Sequence, residues 1–90
     1  MKTQITYNSK TSPYASTNKE YNLACIAEQE LYLNSKLEHR GYIYLNEIYN
    51  ELGVAWNPDW ENLCLRHKPG VRIRLAIRGV NEDGFDIDII

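Results

Sequence analysis

The spacing of apolar residues changes period along this chain, and each change predicts an element. From Thr17 to about His39 there is no proline or glycine, and apolar residues return at helical intervals. Placed 100° apart, Leu23, Ile26, Leu33 and Leu37 point one way and Ala24, Ala27 and Leu31 another, while Asn22, Gln29 and Lys36 form a narrow polar stripe. Thr17 and Glu20 have the spacing of a capping box, in which hydroxyl and carboxylate satisfy each other's free backbone amides. Gly41 stands where a left-handed residue ends a helix. More than one face of this helix is apolar. Either the helix is central and wrapped by the rest of the domain, which a small core favours, or it keeps an apolar face for a partner.

The block "RGYIYLNEIYNELG", residues 40 to 53, then compresses a short β-prone run, an N-cap at Asn46, a helix over 46–52 and a closing Gly53. Glu47 sits in the first turn, where the helix dipole favours negative charge. A helix this short is marginal alone and must lean on the long one. Strict alternation returns at "VRIRLAIRG", which puts Val71, Ile73, Leu75 and Ile77 on one face of a strand and Arg72, Arg74 and Arg78 on the other. "NEDG" suits a three-residue hairpin loop leading into "FDIDII". That closure pairs Asn81 with Phe85, Arg78 with Asp88 and Ile77 with Ile89, and sets the arginines beside Asp86 and Asp88. Ahead of all this, residues 1–16 read as an arm, flexible or docked as an edge strand over Gln4 to Tyr7. The expected architecture is α+β. One long and one short helix pack on a small antiparallel sheet with a C-terminal β-hairpin, in a single domain over 17–90 preceded by the arm.

Composition narrows the class. Ninety residues with 43% hydrophobic and 24% charged side chains suit one soluble domain with a thin core. A net charge of −2 argues against binding by general phosphate neutralisation. Cys25 and Cys64 lie far apart behind a start with no apolar signal region, so reduced thiols in a cytoplasm are expected. No apolar run reaches the length of a membrane span.

Candidate chemistry is sparse. Cys64 and His67 are spaced C-x-x-H, and Cys25 and His39 could in principle complete a zinc tetrahedron. Those two lie fourteen residues apart on one helix, so no metal or other cofactor is expected. Glu47 and Glu51, one turn apart, are the nearest thing to paired carboxylates, and such pairs usually serve solvation. With no phosphate loop or nucleophile signature, the chain reads as no enzyme. Seven tyrosines and two tryptophans are a better lead, since both side chains anchor binding surfaces at low entropic cost. Tyr7, Tyr14, Trp56 and Trp60, with Asp86 and Asp88 on the hairpin, are the expected partner contacts. Arg72 and Arg74 beside aromatics would suit single-stranded nucleic acid, a reading the hairpin aspartates weaken.

Asn18, Glu20, Tyr21, Asn22 and Leu23, followed by Arg40, Gly41, Leu45, Asn46, Glu47, Tyr49, Leu52 and Gly53, carry a resemblance. The stretch is similar to the C-terminal domain of an uncharacterised family of proteins encoded by tailed phages and prophages. The tail "LAIRGVNEDGFDIDII" resembles that family's closing hairpin. Longer members carry a membrane segment before this domain, and the strand-rich stretch they have after the Gly53 position is shortened here to the Trp56 and Trp60 loop. The resemblance implies phage origin and a small α+β fold, and transfers no catalytic residue. The function expected is that of a non-catalytic accessory protein in the host-cell cytoplasm that binds a macromolecule, a host protein first, as an inhibitor or adaptor, with anti-defence action among the roles. The alternatives are a self-associating virion or assembly component, using the spare face of the long helix, and a small nucleic-acid binder.

Overall fold

A computed structural model of the chain describes residues 3–55 and 63–89. Its elements are β1 (Thr3–Tyr7), α1 (Lys19–Arg40), β2 (Tyr42–Tyr44), α2 (Leu45–Leu52), β3 (Cys64–Arg66), β4 (Leu75–Asn81) and β5 (Gly84–Ile89). The fold is α+β, with one long and one short helix and a C-terminal β4–β5 hairpin. The main sheet runs β1-β5-β4 with antiparallel pairs, and β2 and β3 form a separate antiparallel ladder.

Both helices are capped away from the expected residue, α1 by one position and α2 by two. Asn18, not Thr17, caps α1, because its amide oxygen accepts the Tyr21 N–H at 2.9 Å. Gly41 closes the helix with φ 85°, its N–H donating to the Leu37 carbonyl at 2.8 Å. In α2 the cap is Tyr44 and not Asn46: the Glu47 carboxylate accepts the Tyr44 N–H at 2.8 Å, the returning half of a capping box. Asn46 is buried.

The core gathers Ile26, Leu33 and Leu37 of α1, Ile43 of β2, Leu45, Ile48, Tyr49 and Leu52 of α2, Ile73, and from the inner row of the sheet Ile5, Tyr7, Leu75, Phe85, Ile87 and Ile89. That row follows from the register. Ile5 pairs with Ile87 and Ile87 with Ile77, while Tyr7 pairs with Phe85 and Phe85 with Val80. Two polar staples lay α1 along the hairpin. At its start, Asn22 is fully buried: its Nδ2 donates to the Asp83 carbonyl and the Ser16 carbonyl at 2.8 and 2.7 Å, and its Oδ1 accepts the Ser16 N–H at 2.8 Å. Farther along, Asn34 pairs with both backbone groups of Ile73, and Glu30 accepts the Leu75 N–H at 2.9 Å. These side chains hold the backbone at Ile73, so the alternating run yields a strand only from Leu75 onward.

The hairpin closes through two residues, Glu82 and Asp83, so Asn81 pairs with Gly84 rather than with Phe85. A bulge at Arg78 then leaves Ile77 opposite Ile87. The reason is non-local. Asp83 accepts the Ser9 N–H at 3.0 Å and the Ser9 hydroxyl at 2.5 Å, and Gly84 lies against the end of β1. A Cβ at Gly84 would stand 1.9 Å from the Tyr7 carbonyl oxygen, whereas one at Gly79 meets nothing within 4 Å. Gly84→Ala is therefore expected to destabilise the fold by about 2 kcal/mol or more by forcing β1 off the sheet, and Gly79→Ala to change it by less than about 1 kcal/mol. Paired denaturant titrations check the contrast.

Candidate partner-binding surface

The structure scatters the expected contact residues. Tyr14 is 61% exposed. Tyr7 is corrected: at 1% exposure it belongs to the core, because β1 pairs with β5 and turns this side chain inward beside Phe85. Burial, and then the Cys25 thiol, push its phenol up to about 12. Asp88 is corrected too: it is buried and accepts from Arg78 Nε at 2.5 Å, so it is no exposed contact. Asp86 is half-buried and accepts from Thr6 Oγ1 and Asn81 Nδ2 at 2.8 and 3.1 Å. Trp56 and Trp60 lie outside the described residues. The arginine row divides as well, since Arg72 pairs with Glu30 at 3.2 Å on α1 rather than with the hairpin aspartates.

The cysteines and histidines are likewise dispersed. Cys25 packs against the core, Cys64 pairs with Tyr44 in the β2–β3 ladder, and His39 Nδ1 bonds the Ser35 carbonyl at 2.8 Å. Among the described residues, no three His, Cys, Asp or Glu side chains are grouped to hold a metal ion. Glu47 and Glu51 face Lys36, and Glu47 also pairs with the Arg40 guanidinium. Arg40 above all, with the Tyr44 N–H and Lys36, lowers the Glu47 carboxyl from 4.5 to about 2, against the opposing effect of partial burial. A carboxylate held that low carries no proton to transfer near neutral pH.

What the structure brings together is apolar. On the flank of α1 facing β4, Leu23, Ala27 and Leu31 are exposed, the two leucines at 45% and 68%. Their side chains and those of Ile26, Leu75 and Ile77, with Glu30 as the one charged member, line an open groove of about 340 Å³. Ile77 and Val80 belong to the inward row of the sheet yet are 41% and 61% exposed. No element among the described residues covers that side of β4. Leu31 also borders a second groove of about 370 Å³, shared with Val71 and Arg72, and so stands as a ridge between the two. Apart from Glu30 the first groove is apolar, a strip of surface of the kind that marks an interaction site.

Sequence reasoning placed Leu31 correctly in a direction apart from the core but grouped Leu23 with buried Ile26, and it missed Ile77 and Val80. The signal for Leu23 was present but weak: it lies 60° and 80° around the wheel from Ile26 and Leu33 and 40° from Leu37, just past the edge of the buried arc. Nothing local marks Val80, because its exposure depends on how far the helix extends over the sheet.

The fold and strip define a small α+β domain with an uncovered apolar seam. The chain belongs to the family described as "Family of unknown function (DUF6353)", whose profile matches residues 2–63. The match takes in β1, both helices and the helical half of the strip, and ends before β4 and β5. Neither a curated protein nor a solved structure matches the chain. Among the described residues, no helix is long and apolar enough to cross a membrane.

The Glu47 cluster makes stability acid-sensitive in a defined window. A carboxyl lowered from 4.5 to about 2 contributes stability that is fully present above 4.5 and lost as pH falls toward 2. Melting temperature should fall across that window in the wild type, and Glu47→Gln should be less stable near neutrality with a shallower decline. Thermal melts between those pH values check it; parallel declines would contradict the assignment.

Proposed function

We propose that the protein is a non-catalytic accessory protein of phage or prophage origin that works by binding a macromolecular partner, a host protein, through the strip between α1 and β4. The observation that carries this reading is the exposure of Leu23, Leu31, Ile77 and Val80 along one seam. The phage setting is supported by the resemblance of residues 18 to 53 and of the closing hairpin to phage-encoded proteins. A non-catalytic role is supported by the neutralisation of Glu47 and Glu51 by Lys36 and Arg40. An inhibitor or adaptor needs only such a surface and a rigid scaffold. Here α1 supplies the scaffold, anchored by buried Asn22 at one end and Asn34 farther along.

The self-associating reading, a virion or assembly component, uses the same strip and is favoured by its nearly symmetric residue spacing. Nucleic-acid binding is the weakest reading, because Arg72 and Arg78 are already paired with Glu30 and Asp88.

Burying a fully exposed leucine contributes about 1.5 to 3 kcal/mol, so Leu31→Asp should weaken partner binding at least about tenfold. The check is affinity capture from bacterial lysate with wild-type and Leu31→Asp protein side by side. A stoichiometric host protein held by the first and lost by the second supports the reading. Capture indifferent to Leu31 would move the site elsewhere, and no capture by either would contradict a host-protein partner.

A further inference from the structure

The strip on α1 is nearly palindromic. Leu23, Ala27 and Leu31 are spaced four residues apart, with the small residue in the middle and a leucine on each side. We infer that the occupant of this strip is a second copy of the chain, docked by antiparallel contact of the two α1 helices about a two-fold axis at Ala27. The inference rests on the reading of the strip as a binding surface but puts a second copy rather than a host protein on it, and the test below separates the two occupants.

The argument is one of self-complementarity. In a two-fold contact the same patch serves both copies, so a residue that meets a second residue across the axis is met by it in return. With Ala27 on the axis, Leu23 of each copy meets Leu31 of the other. Ala27 faces its counterpart, where a small side chain lets the two backbones approach closely. Each Leu31, the ridge between the two grooves, then enters the other copy's groove beside Leu23 and Ile77. Glu28, one residue from the centre, points about 100° away from the contact and stays at its wet margin.

Charge at the ends agrees with this pairing. The same symmetry brings Glu20 opposite Asn34. Asn34 Oδ1 accepts the Ile73 N–H at 2.7 Å and Asn34 Nδ2 donates to the Ile73 carbonyl at 2.8 Å, and Arg72 and Arg74 are the chain neighbours of Ile73. Glu20 and Arg74 are exposed, and among the described residues neither makes an ion pair. Each end of the contact therefore joins unpaired Glu20 of one copy to Arg74 of the other, twice by symmetry, while Arg72 keeps Glu30 of its own chain. Helix contact from Glu20 to Asn34 covers about 500 Å² per copy, or about 1,000 Å² in total, the lower bound for a specific interface. A contact near that lower bound is of the weak, reversible kind, and a dissociation constant in the micromolar range is the expected outcome.

The test is sedimentation equilibrium of the full chain from about 5 to 300 µM, a range that brackets such a constant. The wild type should rise from the 10.5 kDa of one chain toward twice that mass. Leu31→Asp should remain monomeric throughout while keeping the wild-type circular dichroism and melting temperature. At low salt Arg74→Glu should weaken the dimer at least about threefold, and adding Glu20→Lys should restore it. A wild type that stays monomeric at the highest concentration overturns the inference, as does a dimer that Leu31→Asp leaves intact or a charge swap that fails to restore. A monomer that still captures a host protein through Leu31 would overturn only the dimer. A strip-dependent dimer that captures nothing would support this inference and contradict the host-protein reading.

Discussion

One helix has to cover a sheet of three strands, and it is pinned where it cannot cover all of it. A helix with its side chains is about 10 Å across, while the inner face of a three-stranded sheet, with strands spaced about 4.8 Å apart, is wider than that once its own side chains are counted. Asn22 fixes the start of α1 over the hairpin turn, and Glu30 and Asn34 hold its middle at the start of β4. Between those two anchors the helix has no freedom to roll onto Ile77 and Val80. The exposed seam is the consequence of that geometry.

The anchors also explain why this arrangement is held so firmly by polar groups. Asn22 uses both ends of its amide at full burial, and its loss would leave the Ser16 and Asp83 backbone groups unsatisfied inside the protein. The arm is tied in the same way: the Ser12 hydroxyl donates to the Leu52 carbonyl at 2.5 Å, and Asn8 Nδ2 reaches Asn81 Oδ1 at 3.1 Å. β1, the turn after β4, the start of α1 and the end of α2 are thus tied together by side-chain hydrogen bonds. In a thin core, such bonds specify which elements meet, while the leucines and isoleucines supply most of the driving force.

Much of the architecture was legible in the chain itself, because it depends on local chemistry. The uninterrupted helical spacing before Gly41, the compact block ending at Gly53 and the two runs of the hairpin each announce themselves within a few residues. What was not legible depends on contacts far apart in sequence. The hairpin register turns on Gly84 meeting the end of β1 and on Asp83 binding Ser9. Tyr7 is buried because its strand finds β5, and the edge strand expected over Gln4 to Tyr7 does not by itself say that the tyrosine side turns inward. Asn22 was read as part of a polar stripe although it borders the direction of Ile26 and Leu33; its role as a buried tie becomes visible only when the turn at Asp83 arrives beside it.

The most direct measurement of the central claim is solvent paramagnetic broadening of the side-chain methyl resonances, recorded on dilute protein with a neutral, soluble paramagnetic agent. If the seam between α1 and β4 is uncovered in the single chain, the methyls of Leu23, Leu31, Ile77 and Val80 will broaden strongly while those of Ile26, Leu33 and Ile87 do not. Protection of Leu31 and Ile77 equal to that of Leu33 would contradict the account, because the chain would then be covering its own seam.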